Sequence, residues 1–71
     1  MGIEVSFSLG FSQFNLEVGD NIIIHTNHGV DDDTYHGEFL GVIKNALFIR
    51  LGETDLEIGI PTSSIFNIMK I

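Results

Sequence analysis

Apolar and polar residues alternate along most of this chain with a period of two, the mark of strands that turn one face to a core and the other to water. Near the start, Ile3, Val5, Phe7, Leu9 and Phe11 interleave with Glu4, Ser6, Ser8 and Gly10. A weaker helical pattern overlaps this one, because Phe7, Phe11, Phe14 and Val18 also share a helix face. Residues 1–20 therefore read as an N-terminal extension, a strand in preference to a short helix. Glu17 to Asp20 makes a turn into the β-branched run Asn21 to Thr26. Asn27-His28-Gly29 and Asp31-Asp32-Asp33 predict a polar loop. A long strand is expected over Thr34 to Ile43, and its Gly37 and Gly41 mark bulges or bends where a sheet curls toward a barrel. Lys44-Asn45 turns the chain, Ala46 to Leu51 returns with Leu47, Ile49 and Leu51 on one face, and Gly52 to Asp55 turns it again.

The closing pair says most. Asp55 to Ile60 and Ile65 to Ile71 read as two strands joined by Pro61-Thr62-Ser63-Ser64. Strict alternation in the second puts Ile65, Met69 and Ile71 on one face and Phe66 and Ile68 on the other. A strand that is apolar on both faces needs cover on both, and a terminal strand of so small a sheet has a free edge. A second copy of the chain is expected to supply that cover. The pattern over residues 21–71 thus predicts five short antiparallel strands in a small, strongly bent barrel.

Size and composition strengthen the case for assembly. Seventy-one residues form one folding unit, and a domain of this length buries only about 60–65% of its unfolded surface and gains roughly 3–5 kcal/mol from its core. There is no Cys, so neither a disulfide nor a thiolate zinc site can serve as a staple, and a reducing cytoplasm is the expected setting. With 44% hydrophobic and 18% charged residues, oligomerisation is the remaining way to hide apolar surface. No apolar run approaches the ~20 residues that span a bilayer, so no membrane partner is expected. Ten carboxylates face three cations, Lys44, Arg50 and Lys70, giving a net charge of −7. Since polyanion affinity comes largely from Lys and Arg, at most about three phosphate contacts per chain are on offer, and a strongly basic binding face is excluded.

Two further motifs carry a resemblance. Tyr35-x-Gly37-x-Phe39 resembles the aromatic-x-Gly-x-hydrophobic start of the first motif of the Sm/LSm/Hfq (Sm-like) family, and Ile60-Pro61-Thr62-Ser63-Ser64-Ile65 has the spacing of its second. Gly29 sits near the family's usual turn glycine, with Val30 to Asp33 lengthening the loop. The likeness covers residues 21–71. It implies an Sm-like barrel whose fourth strand pairs with the fifth strand of the next subunit, closing a cyclic homo-oligomer of usually five to seven copies. Leu56, Ile58, Ile60, Phe66, Ile68 and Met69 are then the residues at or behind the junction. It also implies single-stranded RNA as a partner, bound at the pore. The residue types that read bases in the family fall here on Ile43, Ala46, Leu47 and Pro61, which can neither stack usefully nor hydrogen-bond a base edge. The polar residues left near the implied pore are Lys44, Asn45, Thr62, Ser63 and Ser64, which are equally ordinary turn residues.

His25, His28 and His36 with Asp31, Asp32 and Asp33 raise metal binding, because imidazole and carboxylate suit zinc or nickel. A solvated acidic turn is the preferred reading, and no metal or cofactor is assigned. Catalysis is not expected: Ser63 and Ser64 have no evident His and acid partners, and the glycines lack phosphate-loop spacing. An SH3-like peptide binder would need several aromatics in a groove, where this chain offers one Tyr and no Trp. Two function classes follow. One is an Sm-like ring acting in RNA metabolism; the other is an acidic ring that serves as a scaffold and attracts basic proteins.

Overall fold

Gly10 makes the first reversal. It sits at φ 60°, and with Phe11 it forms the two-residue turn that suits the twist of paired antiparallel strands. The extension is therefore a hairpin of β1 (Glu4–Leu9) and β2 (Ser12–Glu17), in register from Glu4 opposite Glu17 to Leu9 opposite Ser12. The helical alternative does not form. Described by this computed structural model are residues 2–28 and 31–71, with His28, Asp31 and Asp32 described by backbone alone.

Five further strands follow: β3 (Asn21–His28), β4 (Asp31–Ile43), β5 (Ala46–Leu51), β6 (Glu57–Pro61) and β7 (Ile65–Lys70). A single 3-10 turn, Thr62–Ser64, separates the last two. They make one antiparallel sheet in the order β6-β5-β4-β3-β7. The protein is thus all-β and built on a five-stranded antiparallel sheet, as the alternation predicted. The closed barrel is not met: β6 hydrogen-bonds only to β5 and β7 only to β3, so the ladder stays open within one chain. Strand β4 serves two partners, β3 along its first part and β5 along its second. Between Phe39 and Gly41 its register shifts, and Gly41 takes φ 146°, which only glycine adopts without strain. Gly37 answers a different need. A Cβ there would lie 2.1 Å from the Arg50 carbonyl oxygen, so the close crossing of β4 and β5 requires its absence.

Alternation puts Ile22, Ile24, Phe39, Leu47 and Ile49 fully inside, with Leu16, Ile60, Ile65 and Ile68 nearly so. Each such side chain contributes about 1.5–3 kcal/mol relative to exposure. The hairpin lies over this face of the sheet: Phe7 stacks on Phe39 with ring centroids 6.2 Å apart and on Phe14 at 5.7 Å. Its exit is tied down by backbone bonds, Gly19 N–H donating to the Phe39 carbonyl (2.9 Å) and Phe39 N–H to that of Asp20 (2.8 Å). Among the described residues Thr26 is the one polar residue with a fully buried side chain, and its hydroxyl is satisfied by the Asp33 carbonyl at 3.1 Å.

Three expected boundaries move. The polar stretch expected as a loop from Asn27 to Asp33 is largely strand, since the ladder continues through Asn27 opposite Asp32 and His28 opposite Asp31; Gly29 and Val30 lie outside the described residues. Strand β6 starts at Glu57 instead of Asp55, because Asp55 takes φ 55° and donates its N–H to the Leu51 carbonyl, which keeps it in the turn. Strand β7 does not alternate strictly. Its pairing with β3 passes from Thr26–Ile65 to His25–Asn67, leaving Phe66 as an extra residue. That bulge turns Ile65 and Ile68 inward together and leaves Phe66, Met69 and Ile71 outside.

Candidate self-assembly edges and the adjacent turn cluster

An edge strand carries a row of unpaired backbone N–H and C=O groups, and β6 and β7 are the two edges of this sheet. On β7 the side chains divide sharply: Phe66 is 61% and Met69 50% exposed, whereas Ile68 is 7% exposed. On β6, Ile60 is buried and Ile58 half-buried, while Leu56 lies just before the strand and is exposed. Of the residues expected at or behind the junction, Leu56, Phe66 and Met69 are on the surface, Ile60 and Ile68 are in the core behind it, and Ile58 lies between.

The edges also differ in charge. Arg50 on β5 joins the outer faces of β4, β5 and β6, donating from Nη2 to Glu57 (2.9 Å) and from Nη1 to Glu38 (3.3 Å). The hydrogen bond to Glu57, and then the charge of Glu38, hold the guanidinium above its ordinary pKa. Both pairs are solvent-exposed, so their strength is modest and falls with salt. Glu53 and Asp55 in the preceding turn add further negative charge at the β6 end. Strand β7 has no carboxylate, and its Lys70 lies 3.5 Å from Asp20.

The polar residues assigned to a pore do meet. Asn45 and Thr62 come from different turns, and the Thr62 N–H donates to the Asn45 carbonyl at 2.8 Å. The ladder pair Ala46–Pro61 draws the two turns together. Ser64 spends its hydroxyl on the Pro61 carbonyl (2.8 Å), and Ser63 is exposed beside it. Lys44 sits at φ 55° in its two-residue turn and forms no ion pair among the described residues. Leu47, one of the positions where the resemblance would need a base-reading residue, is wholly buried, and Ile43 beside the turn is exposed.

The histidines part company. His25 tilts against Phe66 with ring centroids 6.0 Å apart and lies 3.5 Å from the Thr34 hydroxyl, while His36 is exposed on β4. Among the described residues no three His or carboxylate groups converge on a point; the side chains of His28, Asp31 and Asp32 lie outside them. Also among those residues, no helix is long and apolar enough to cross a membrane.

One surface was not anticipated. An apolar groove of about 350 Å³ runs between Leu40, Val42, Ile43 and Phe48, with Val5 of β1 and Val18 along one wall and Glu57 at its β6 margin. The Phe48 ring extends over Gly59, where an added Cβ would come within 3.0 Å of it. A signal existed in Phe48 and Ile43, apolar residues on the supposedly polar face of their strands. Compared with known protein families, curated proteins and solved structures, the chain matches none.

Proposed function

We propose that this chain is a self-assembling β module, an Sm-like barrel that builds a cyclic homo-oligomer by adding β7 of one copy to β6 of the next. One observation carries the reading: the two free ends of the sheet are its fourth and fifth strands counted from Asn21, the pair that the resemblance joins between subunits. Each backbone hydrogen bond formed there is worth about 1 kcal/mol net. The contact is head-to-tail, and such contacts close into rings or run on as filaments. Exposed Phe66, Met69 and Leu56 beside those edges supply the apolar area that so small a core lacks.

The assembly acts as an acidic scaffold for basic protein partners in the cytoplasm. Five to seven copies at −7 each sum to a formal charge of about −35 to −49, a long-range barrier to polyanions at low salt. Single-stranded RNA is the second reading, favoured by one feature, the union of the Lys44-Asn45 and Thr62-Ser63-Ser64 turns. Native mass spectrometry tests the assembly: a single cyclic stoichiometry is expected, and one copy at every concentration overturns it. Fluorescence titration with U-rich and A-rich oligonucleotides across a salt series separates the roles. No binding at low salt is the scaffold result; micromolar binding that weakens with salt and disappears in Lys44→Ala is the RNA result.

A further inference from the structure

We infer that the Phe48 ring, which lies over Gly59, receives Met69 of the neighbouring copy, which fixes the register of the junction with Met69 opposite Gly59. This deepens the edge-to-edge reading and rests on it. Three observations point the same way.

The first is facing. A strand added to β6 must match inner residues with inner and outer with outer, because the period of a strand is two. On β6 the inner residues are Ile58 and Ile60 and the outer ones Glu57, Gly59 and Pro61. On β7 past the bulge, Ile68 is inner, paired with buried Ile24, and Met69 is outer, paired with half-buried Ile23. Three antiparallel alignments satisfy this rule, with Met69 opposite Glu57, Gly59 or Pro61; the last would set Ile68 opposite Thr62, past the end of β6, which leaves Gly59 or Glu57.

The second is shape. Gly59 offers no side chain and the Phe48 ring lies over it, within 3.0 Å of where a Cβ would stand, so a side chain added opposite Gly59 meets that ring first. Met69, unbranched and polarizable, fits such a gap and gains a sulfur–aromatic contact. The same alignment sets Ile68 opposite Ile60 on the inner face, with the stem of Lys70 opposite Ile58. The other alignment would instead place Met69 on the Glu57 carboxylate that Arg50 holds.

The third is charge. The β6 end carries Glu57 with Glu53 and Asp55 close by, and β7 carries Lys70 and no carboxylate. Pairing β6 with a second β6 sets carboxylates together, and pairing β7 with β7 sets Lys70 against Lys70. Pairing β6 with β7 instead brings Lys70 opposite Ile58, one position along from Glu57, so the two edges of this chain attract each other at longer range and the occupant is a second copy of it.

Because the chain has no Cys, an engineered pair reports cleanly. In the inferred register, Glu57 stands opposite Ile71 of the neighbour; in the alternative it stands opposite Met69. Full-length Glu57→Cys/Ile71→Cys and Glu57→Cys/Met69→Cys proteins, all substituted at exposed sites, are oxidised under identical conditions after circular dichroism has shown both folded. The expected result is covalent multimers forming at least about fivefold faster in the first, since a disulfide needs Cα atoms within about 7 Å. Faster bonding in the second overturns the Met69–Gly59 register and leaves the edge pairing standing. Bonding in neither, with the unsubstituted protein still oligomeric by native mass, overturns the junction itself. An unsubstituted protein that stays single-copy overturns both the assembly and this inference.

Discussion

Strands β6 and β7 are both edges of one sheet, yet they solve the edge problem differently. On its outer face β6 shows Glu57, Gly59 and Pro61: one carboxylate tied to Arg50, one residue without a side chain, and one that has no N–H to give. Against it, β7 shows Phe66, Met69 and, just past its end, Ile71, all at least half exposed, with no negative charge. One edge is flat and acidic; the other is knobbed and apolar. The difference teaches that the exposed apolar surface is concentrated where a complementary edge of the same chain lacks it, which is what a head-to-tail contact needs and a two-fold one does not.

The sharpest way to break this comparison is within β7 itself. Ile68→Asp puts a carboxylate among buried isoleucines, at a cost of about 3–5 kcal/mol, comparable with the whole stability of so small a domain. Loss of the far-UV β signal is expected. Met69→Asp, one residue away and exposed, is expected to keep that signal and to lose assembly, seen as single-copy mass in sedimentation. If the two variants behave alike, the inner and outer division of β7 is wrong. Next in size is Gly37→Ala, where the new Cβ meets the Arg50 carbonyl; about 2–3 kcal/mol of destabilisation is expected in urea melts, because backbone must move.

Charge gives a smaller effect. Glu57→Lys removes an exposed ion pair, so the melting temperature should fall by no more than the equivalent of ~1 kcal/mol, while assembly weakens by about tenfold at low salt and less at high salt. An unchanged assembly constant would show that the acidity of β6 has no part in choosing β7. The smallest effect sits away from both edges. Lys44→Gly relieves a side chain held at φ 55° and should stabilise the fold by about 0.5–1 kcal/mol, or ~4 °C in melting temperature. No rise would mean that the turn relaxes in solution.

Much of the architecture was legible because period-two alternation is a direct consequence of the pleat. The strands from Asn21 to Lys70, the turn at Lys44-Asn45 and the bulge at Gly41 follow from residue type, whereas Gly37, expected as a bulge or bend, serves the close approach of β4 to β5. Three features escaped. The hairpin partner β2 was hidden because Phe7, Phe11, Phe14 and Val18 also satisfy a helical period, and the decisive residue was Gly10, whose turn was not recognised. Asn27 to Asp33 reads as a loop by composition, yet the ladder runs on through Asn27 opposite Asp32 and His28 opposite Asp31. At Phe66, a bulge has no strong signature in the sequence, and a one-residue offset exchanges every side chain beyond it between faces. Strict alternation therefore assigned the side chains of β7 beyond the bulge to the wrong faces. Alternation puts Ile68 on the face of Phe66, at or behind the expected junction, and it is core, while the groove at Phe48 went unanticipated although Phe48 and Ile43 break the polar face of their strands.

The most direct test is hydrogen exchange read strand by strand over a protein concentration series. Amides of β6 and β7 should gain protection together as concentration rises, while those of the interior strand β4 stay protected throughout. Protection at the two edges that is independent of concentration, in a protein that remains single-copy, would contradict the account.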